Sequence, residues 1–309
     1  MKTNVLILVF LAATTVAACV SRADNEHNHI RPDSSVRELI VCGDDKVLIF
    51  HPTDGGYQKE WEWSAANSNG MPPGYVGYFK TNDECKPVGD NRLLVTSSGG
   101  GAALIERSTG NTLFYAHVPN AHSAEYLPEG RIAVALSTAS GGNAIQLFDA
   151  LKPNKVLYSD SLYSGHGVVW VEDRESLFAL GYGELREYKL KEWDSTTPKL
   201  EMKAFWEIPD ESGHDLYLTK DQKLLFSTTN SVWEFNLQTN KFGPFDQLEN
   251  VGHVKSINYH SGTKELVYTK GEVSWWTHHV YFANPADTLT DESVKIYKSR
   301  VYWKDQTPL

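Results

Sequence analysis

Four histidines recur in one local setting. Asn120-Ala121-His122-Ser123-Ala124-Glu125, Ser164-Gly165-His166-Gly167-Val168-Val169, Ser212-Gly213-His214-Asp215-Leu216-Tyr217 and Val251-Gly252-His253-Val254-Lys255-Ser256 each place a histidine just ahead of a short apolar run. Each run then passes through a charged or glycine turn into a second one. Imidazole changes charge near neutral pH, so it can serve as general base, metal ligand or hydrogen-bond partner. Aligning Arg92 with Arg131 puts Asp83 in the place that His122 holds. If equivalent positions converge in space, His122, His166, His214, His253 and Asp83 form a donor set for a divalent metal, imidazole suiting zinc, manganese, iron, nickel or copper. No short ligand motif such as His-Glu-x-x-His accompanies them, so this expectation rests on repeat equivalence alone. No organic cofactor is expected. Gly99-Gly100-Gly101 is not followed by a helical pattern that would cradle a phosphate, and no Gly-x-Ser-x-Gly nucleophile elbow is present.

Further charges fall within a few residues of these positions: Glu84, Lys86, Glu125, Asp215, Lys255, Lys298 and Arg300. Taken singly, each reads as a solvated surface charge. Taken together, they place several cations beside histidines, a receptor for a carboxylate or sulfate on a sugar. In that reading Lys86, Glu125 and Lys255 hold the substrate, and Trp275 and Trp276, in Trp275-Trp276-Thr277-His278-His279, stack on a sugar ring. The plainer account of those tryptophans is a strand with alternate residues buried. A histidine, His122 or His166, or a lysine such as Lys298 would remove the proton next to the sugar carboxylate while Arg300 or a metal stabilises the developing enolate, the chemistry of a polysaccharide lyase.

The elements that must position these groups are short strands. Apolar runs of five or so residues, bounded by Gly, Asp and Asn, fill the chain from Glu38 to Trp303, and no long stretch carries helical periodicity. A histidine period of roughly 40 to 45 residues is that of propeller blades. The first residues of each blade's innermost strand surround the mouth of the central channel, so the repeated positions should meet there. Residues 38–63 supply only three strands, and Val294 to Trp303 most simply completes that first blade. The expected fold is therefore an all-β, six-bladed β-propeller closed by its C-terminal strand. Seven blades is the alternative, with a degenerate blade hidden in 51–81. The irregular connection from Ala65 to Thr81 is long enough to be a lid or rim. WD-repeat propellers also carry a Gly-His before the innermost strand, fastened to an aspartate in a later turn. The corresponding turns here, such as Ser140-Gly141-Gly142-Asn143 and Thr228-Thr229-Asn230-Ser231, lack that aspartate.

The first 18 residues read as an export signal, with Lys2, an apolar run from Val5 to Val16, and Val16-Ala17-Ala18-Cys19, which matches a bacterial lipobox. Cys19 is then the lipidation site, residues 19–36 a polar tether and 37–309 a single propeller domain. The expected address is the outer membrane of a bacterium, through a lipid anchor, on its periplasmic or surface face. The net charge of −10 argues against a nucleic-acid partner. Cys42 and Cys85 are the remaining cysteines, and whether they pair stays open, as does the oligomeric state.

Asp83-Glu84-Cys85-Lys86-Pro87-Val88, Asn120-Ala121-His122-Ser123-Ala124-Glu125, the two Ser-Gly-His segments and Tyr297-Lys298-Ser299-Arg300 resemble a family of uncharacterised exported β-propeller lipoproteins of polysaccharide-degrading bacteria. The resemblance covers most of 38–303 and implies a propeller and an exported address, with no reaction to carry over. More loosely, the chain is similar to propellers of the oligogalacturonate-lyase type, which hold a divalent metal on channel histidines. Their residue pattern is not reproduced here position by position. The expectation is a propeller that binds an acidic oligosaccharide or polysaccharide at its channel mouth, with a metal-assisted lyase or glycosidase as its catalytic form. The alternative is a non-catalytic glycan-binding or protein-interaction propeller.

Overall fold

A computed structural model describes residues 37–304 together with Met1. The export signal, Cys19 and the tether lie outside the described residues. The strands are, in order, β1 (Arg37–Gly43), β2 (Lys46–Thr53), β3 (Gly56–Trp63), β4 (Asn82–Val88), β5 (Arg92–Ser97), β6 (Gly101–Glu106), β7 (Thr112–His117), β8 (Ala121–Leu127), β9 (Arg131–Leu136), β10 (Ala144–Asp149), β11 (Val156–Ser161) and β12 (Gly167–Val171). They continue as β13 (Ser176–Leu180), β14 (Glu184–Lys191), β15 (Lys199–Glu207), β16 (Asp215–Leu218), β17 (Lys223–Ser227), β18 (Val232–Asn236), β19 (Lys241–Pro244), β20 (Val254–His260), β21 (Glu265–Lys270), β22 (His279–Ala283), β23 (Asp287–Thr290) and β24 (Ile296–Trp303). Among the described residues they form six four-stranded antiparallel sheets, the blades of a six-bladed β-propeller. The seven-bladed alternative is excluded.

Five blades are contiguous in sequence, and the sixth is β24-β1-β2-β3. Its innermost strand is thus the C-terminal one, paired antiparallel to β1 with Lys298 opposite Cys42 and Arg300 opposite Ile40. Pairing the two ends of the domain removes the free sheet edge that a linear array would leave. The blades adhere through apolar faces. Cys42, Val47, Trp63, Phe79, Cys85 and Val95 form one buried cluster between the first two blades, and Phe178, Leu216, Phe226 and Phe235 form another on the far side. Burying side chains of this size stabilises by about 1.5–3 kcal/mol each before the entropy cost is counted. Cys42 and Cys85 are free, buried thiols within their cluster.

Six strands converging on one axis leave little room, so the innermost strands carry short residues such as Ser123, Ala124, Gly167, Ser256 and Ser299. A Cβ on Gly167 would lie 2.5 Å from the Cβ of Leu216 on the next inner strand. The segment 65–81 is not a lid. It folds into short helical turns, including α1 (Pro73–Val76), and inserts Phe79 at 1% exposure into the core beneath Gly101.

Candidate functional site at the histidine end of the channel

Each innermost strand begins with the same local irregularity, and that irregularity builds the site. In β4, β8 and β20 the pairing with the next strand skips one residue, at Asp83, His122 and Lys255. The skip between Ile296 and Lys298 in β24 isolates Tyr297. In the remaining two blades the N–H of His166 bonds the Leu180 carbonyl although Gly167 is already opposite Leu180, and His214 and Asp215 share Ser227 in the same way. A residue left unpaired by a bulge is re-aimed relative to its strand. Asp83, His122, His166, His214, Lys255 and Tyr297 are therefore the six equivalent positions around one mouth of the channel.

Three of the four expected histidines do meet. The ring centroids of His122 and His166 are 4.3 Å apart, those of His166 and His214 are 5.2 Å apart, and His122 lies 5.9 Å from Tyr297. His253 does not join them and is exposed. Its backbone has φ 60°, matching the left-handed residues Asn120 (φ 52°), Ser164 (φ 49°) and Ser212 (φ 68°), each of which precedes its ring histidine by two positions. His253 is thus the turn residue of its blade, and Lys255 holds the ring position. The Ser-Gly-His signature follows from the same turn: a Cβ on Gly213 would meet the Gly181 carbonyl at 2.6 Å.

The hydrogen bonds fix the state of the rings. His122 Nδ1 faces the Asn120 carbonyl at 3.2 Å and His166 Nδ1 the Ser164 carbonyl at 2.9 Å. A carbonyl only accepts, so Nδ1 carries the proton in both and Nε2 is left as a lone-pair acceptor. Burial pushes His122 well below the usual histidine range, helped by neighbouring His166, and brings His166 down to about 4. Both are neutral at physiological pH. Lys255 Nζ donates to His214 Nε2 at 3.1 Å, which places the His214 proton on Nδ1, a buried atom with no partner. Lys255 is 6% exposed, and burial together with nearby Lys298 lowers it to about 8. No carboxylate among the described residues pairs with it.

Behind this layer the channel is closed by ions. Arg300 donates from Nε and one terminal nitrogen to both oxygens of Glu84 at 2.7 Å each, and to the two oxygens of Asp215 at 2.9 and 2.6 Å. Lys298 Nζ lies 3.0 Å from Asp215 and 3.7 Å from Glu84, with no exposed surface on any of the three. Burial opposes ionisation of Glu84 and Asp215, but Arg300 and Lys298 overcome it and hold both below the ordinary carboxylate range. Lys298 and Arg300, expected as catalytic groups, are instead committed to this network and are not offered to a ligand at the histidine end. Lys86 and Glu125 are also misplaced by the sequence reading. Each sits three residues beyond its ring position, about 10 Å along the strand, and they pair with each other at 2.8 Å at the other end of the channel.

Asp83 is buried and accepts from the Ser98 backbone N–H, yet burial raises its carboxyl to about 7. Between the ordinary aspartate value and pH 7 the native state holds a proton that the unfolded chain releases, so stability falls as pH rises through that window. Asp83→Asn, which keeps the acceptor, should remove this dependence. Its melting temperature relative to the parent is expected to rise between pH 4 and pH 7.5, and parallel curves would show that Asp83 is ionised throughout.

Of the paired tryptophans, Trp275 reaches the rim. It is 46% exposed and its ring lies 6.2 Å from Tyr297. Trp276 turns aside to His278, with Lys295 over its face at 5.4 Å. Among the described residues no group of three or more His, Cys, Asp or Glu side chains is arranged to hold a metal ion. The expected five-membered donor set is broken because His253 is absent from the ring and the His214 Nε2 lone pair is taken by Lys255.

The fold and this mouth define the class: a six-bladed propeller whose channel opens on a ring of neutral histidines, one lysine, one aspartate and one tyrosine. The chain belongs to a family of proteins of unknown function, DUF6528, whose model matches residues 1–307. No curated protein sequence matches it.

Proposed function

We propose that this protein binds an acidic saccharide at the histidine end of its channel, as an exported propeller lipoprotein anchored through Cys19 to the outer membrane. The observation that carries the reading is Lys255. A buried ammonium whose one polar partner among the described residues is a neutral imidazole is costly, and an incoming carboxylate or sulfate supplies the missing charge. Around it stand the parts a sugar needs: the unpartnered Nδ1–H of His214, the Nε2 acceptors of His122 and His166, and the half-exposed face of Trp275 beside Tyr297.

The same arrangement suits β-elimination from a uronate better than hydrolysis. His166 or His122, unprotonated at Nε2, would take the C5 proton, and the C5 electrons would form the C4–C5 double bond as the C4–O bond breaks. The leaving oxygen takes up the proton, and Lys255 steadies the carboxylate on which charge accumulates. A glycosidase needs two carboxyl groups flanking the bond, and among the described residues of this layer Asp83 alone offers one, Glu84 and Asp215 being paired with Arg300 and Lys298. A divalent metal is the weaker form of the proposal, because an ammonium already occupies the third imidazole.

Galacturonate and glucuronate oligosaccharides should bind by calorimetry where neutral ones of the same length do not bind at this mouth. Turnover would show as ultraviolet absorbance of an unsaturated product. Binding without absorbance leaves a glycan-binding propeller, and the absence of both ends the proposal. For the address, Cys19→Ser should move the protein from the membrane to the soluble fraction, and an unchanged distribution would remove the anchor.

A further inference from the structure

The two mouths of the channel differ in charge. Beyond the Arg300 network, the C-terminal ends of the innermost strands open into a cavity of about 580 Å³, lined on its walls by Tyr126, Trp170 and Tyr217 with Val169 and Leu216 between them. That volume lies within the range of small-molecule sites. Lys86 and Glu125 line the same cavity as an ion pair, Lys86 Nζ donating to Glu125 at 2.8 Å and to the Val168 carbonyl at 2.7 Å. One ammonium hydrogen remains for a ligand.

The charges in the depth of this cavity are paired, and those at its rim are equal in number. Lys86 is matched by Glu125 and Arg300 by Glu84 and Asp215, while the rim carries two cations, Arg92 and Lys220, and two carboxylates, Glu172 and Asp173. Arg92 is also held 4.7 Å from the centroid of Tyr126, which fixes that ring as a wall. At the histidine end a cation awaits a counter-charge, whereas here an ionic ligand would leave its own charge uncompensated. The occupant that fits is neutral, bears hydroxyls that donate to a carboxylate and accept from an ammonium side by side, and has an apolar ring face for an aromatic wall. We propose that this cavity is a second binding site, for a neutral saccharide unit, separated from the histidine end by the buried Arg300 network.

The full-length protein would be titrated with maltose, cellobiose, xylobiose and mannobiose, with digalacturonate as the acidic control, by calorimetry and saturation-transfer NMR. At least one neutral disaccharide is expected to bind. Trp170→Ala should weaken it about tenfold, the loss of one aromatic contact surface. Trp170→Phe should keep most of the affinity, Glu125→Gln should lose it, and Lys255→Met should leave it unchanged. The proposal is overturned if no neutral disaccharide binds the parent, or if binding survives both Trp170→Ala and Glu125→Gln. It is equally overturned if binding follows Lys255 rather than Trp170, or if digalacturonate alone depends on Trp170. Trp170→Phe and Glu125→Gln decide the matter even if Trp170→Ala does not fold.

Discussion

Arg300→Met is expected to lower the unfolding free energy by about 3–5 kcal/mol, the cost of removing one partner from a buried ionic cluster. Arg300 is 3% exposed and makes paired contacts to Glu84 and Asp215, carboxylates with no exposure of their own. Without it, two buried negative charges share the single ammonium of Lys298. The strand that carries both cations is β24, whose pairing to β1 closes the ring. The loss therefore falls on the closure between the ends of the domain. A urea titration should show a lower midpoint at unchanged slope.

The dependence on pH distinguishes this account from simple loss of packing. In the parent, the lowered values of Glu84 and Asp215 contribute stability that is present above the ordinary carboxylate range and is lost as pH falls through it. In the variant the same carboxylates are poorly compensated and take up protons at higher pH. The stability gap between parent and variant should then narrow from pH 7 toward pH 5. Adding Glu84→Gln and Asp215→Asn to Arg300→Met should restore part of the loss. A gap below about 1 kcal/mol, or one independent of pH, would contradict a charge-based closure.

Lys255→Met has the opposite signature: it should cost binding and spare the fold. A charge-assisted hydrogen bond to a buried group is worth roughly 1.5–3 kcal/mol, so affinity for an acidic oligosaccharide should fall at least about tenfold. The unliganded protein loses one hydrogen bond to His214 together with a buried cation that no carboxylate among the described residues matches, and the two effects oppose each other. Because Lys255 is lowered from its ordinary value to about 8, the unfolded chain binds its proton more readily between pH 8 and the ordinary lysine value. Stability of the parent should rise with pH across that window, an increment that Lys255→Met lacks. At pH 7 the variant should melt no lower than the parent. Binding to the parent should weaken above about pH 8 as the ammonium deprotonates. Unchanged affinity, or an affinity that holds steady to pH 10, would sink the proposed role of Lys255.

Much of the architecture was legible because it is written in local pattern. The strand period, the turn residues and the roughly regular recurrence of the histidine segments are set by backbone geometry within each blade, and the one strand missing from the three near Glu38 pointed to β24 as its completion. His122, His166 and His214 were found for the same reason, each sitting two residues after a left-handed turn residue. His253 misled because the β20–β23 blade places its own histidine at the turn, so matching Gly-His to Gly-His slipped the register by two and hid Lys255. Tyr297 was missed altogether, since its blade is assembled from both ends of the chain. For Lys255 a signal existed in Ser256, a small residue in the place that Ser123 and Gly167 hold after His122 and His166.

What the sequence determined by itself is the repeat, and with it the fold and the mouth at which the histidines gather, since those follow from hydrogen-bonding period and turn chemistry along the chain. What only the tertiary structure decided is which charges face a ligand. Lys86, Lys255, Lys298 and Arg300 look alike in sequence, but a step along an inner strand separates mouth from plug, and a bulge decides which side chain turns inward. Partners from blades far apart in sequence then settle the matter: Glu84 and Asp215 neutralise Arg300 and Lys298, Glu125 neutralises Lys86, and Lys255 alone faces a neutral imidazole.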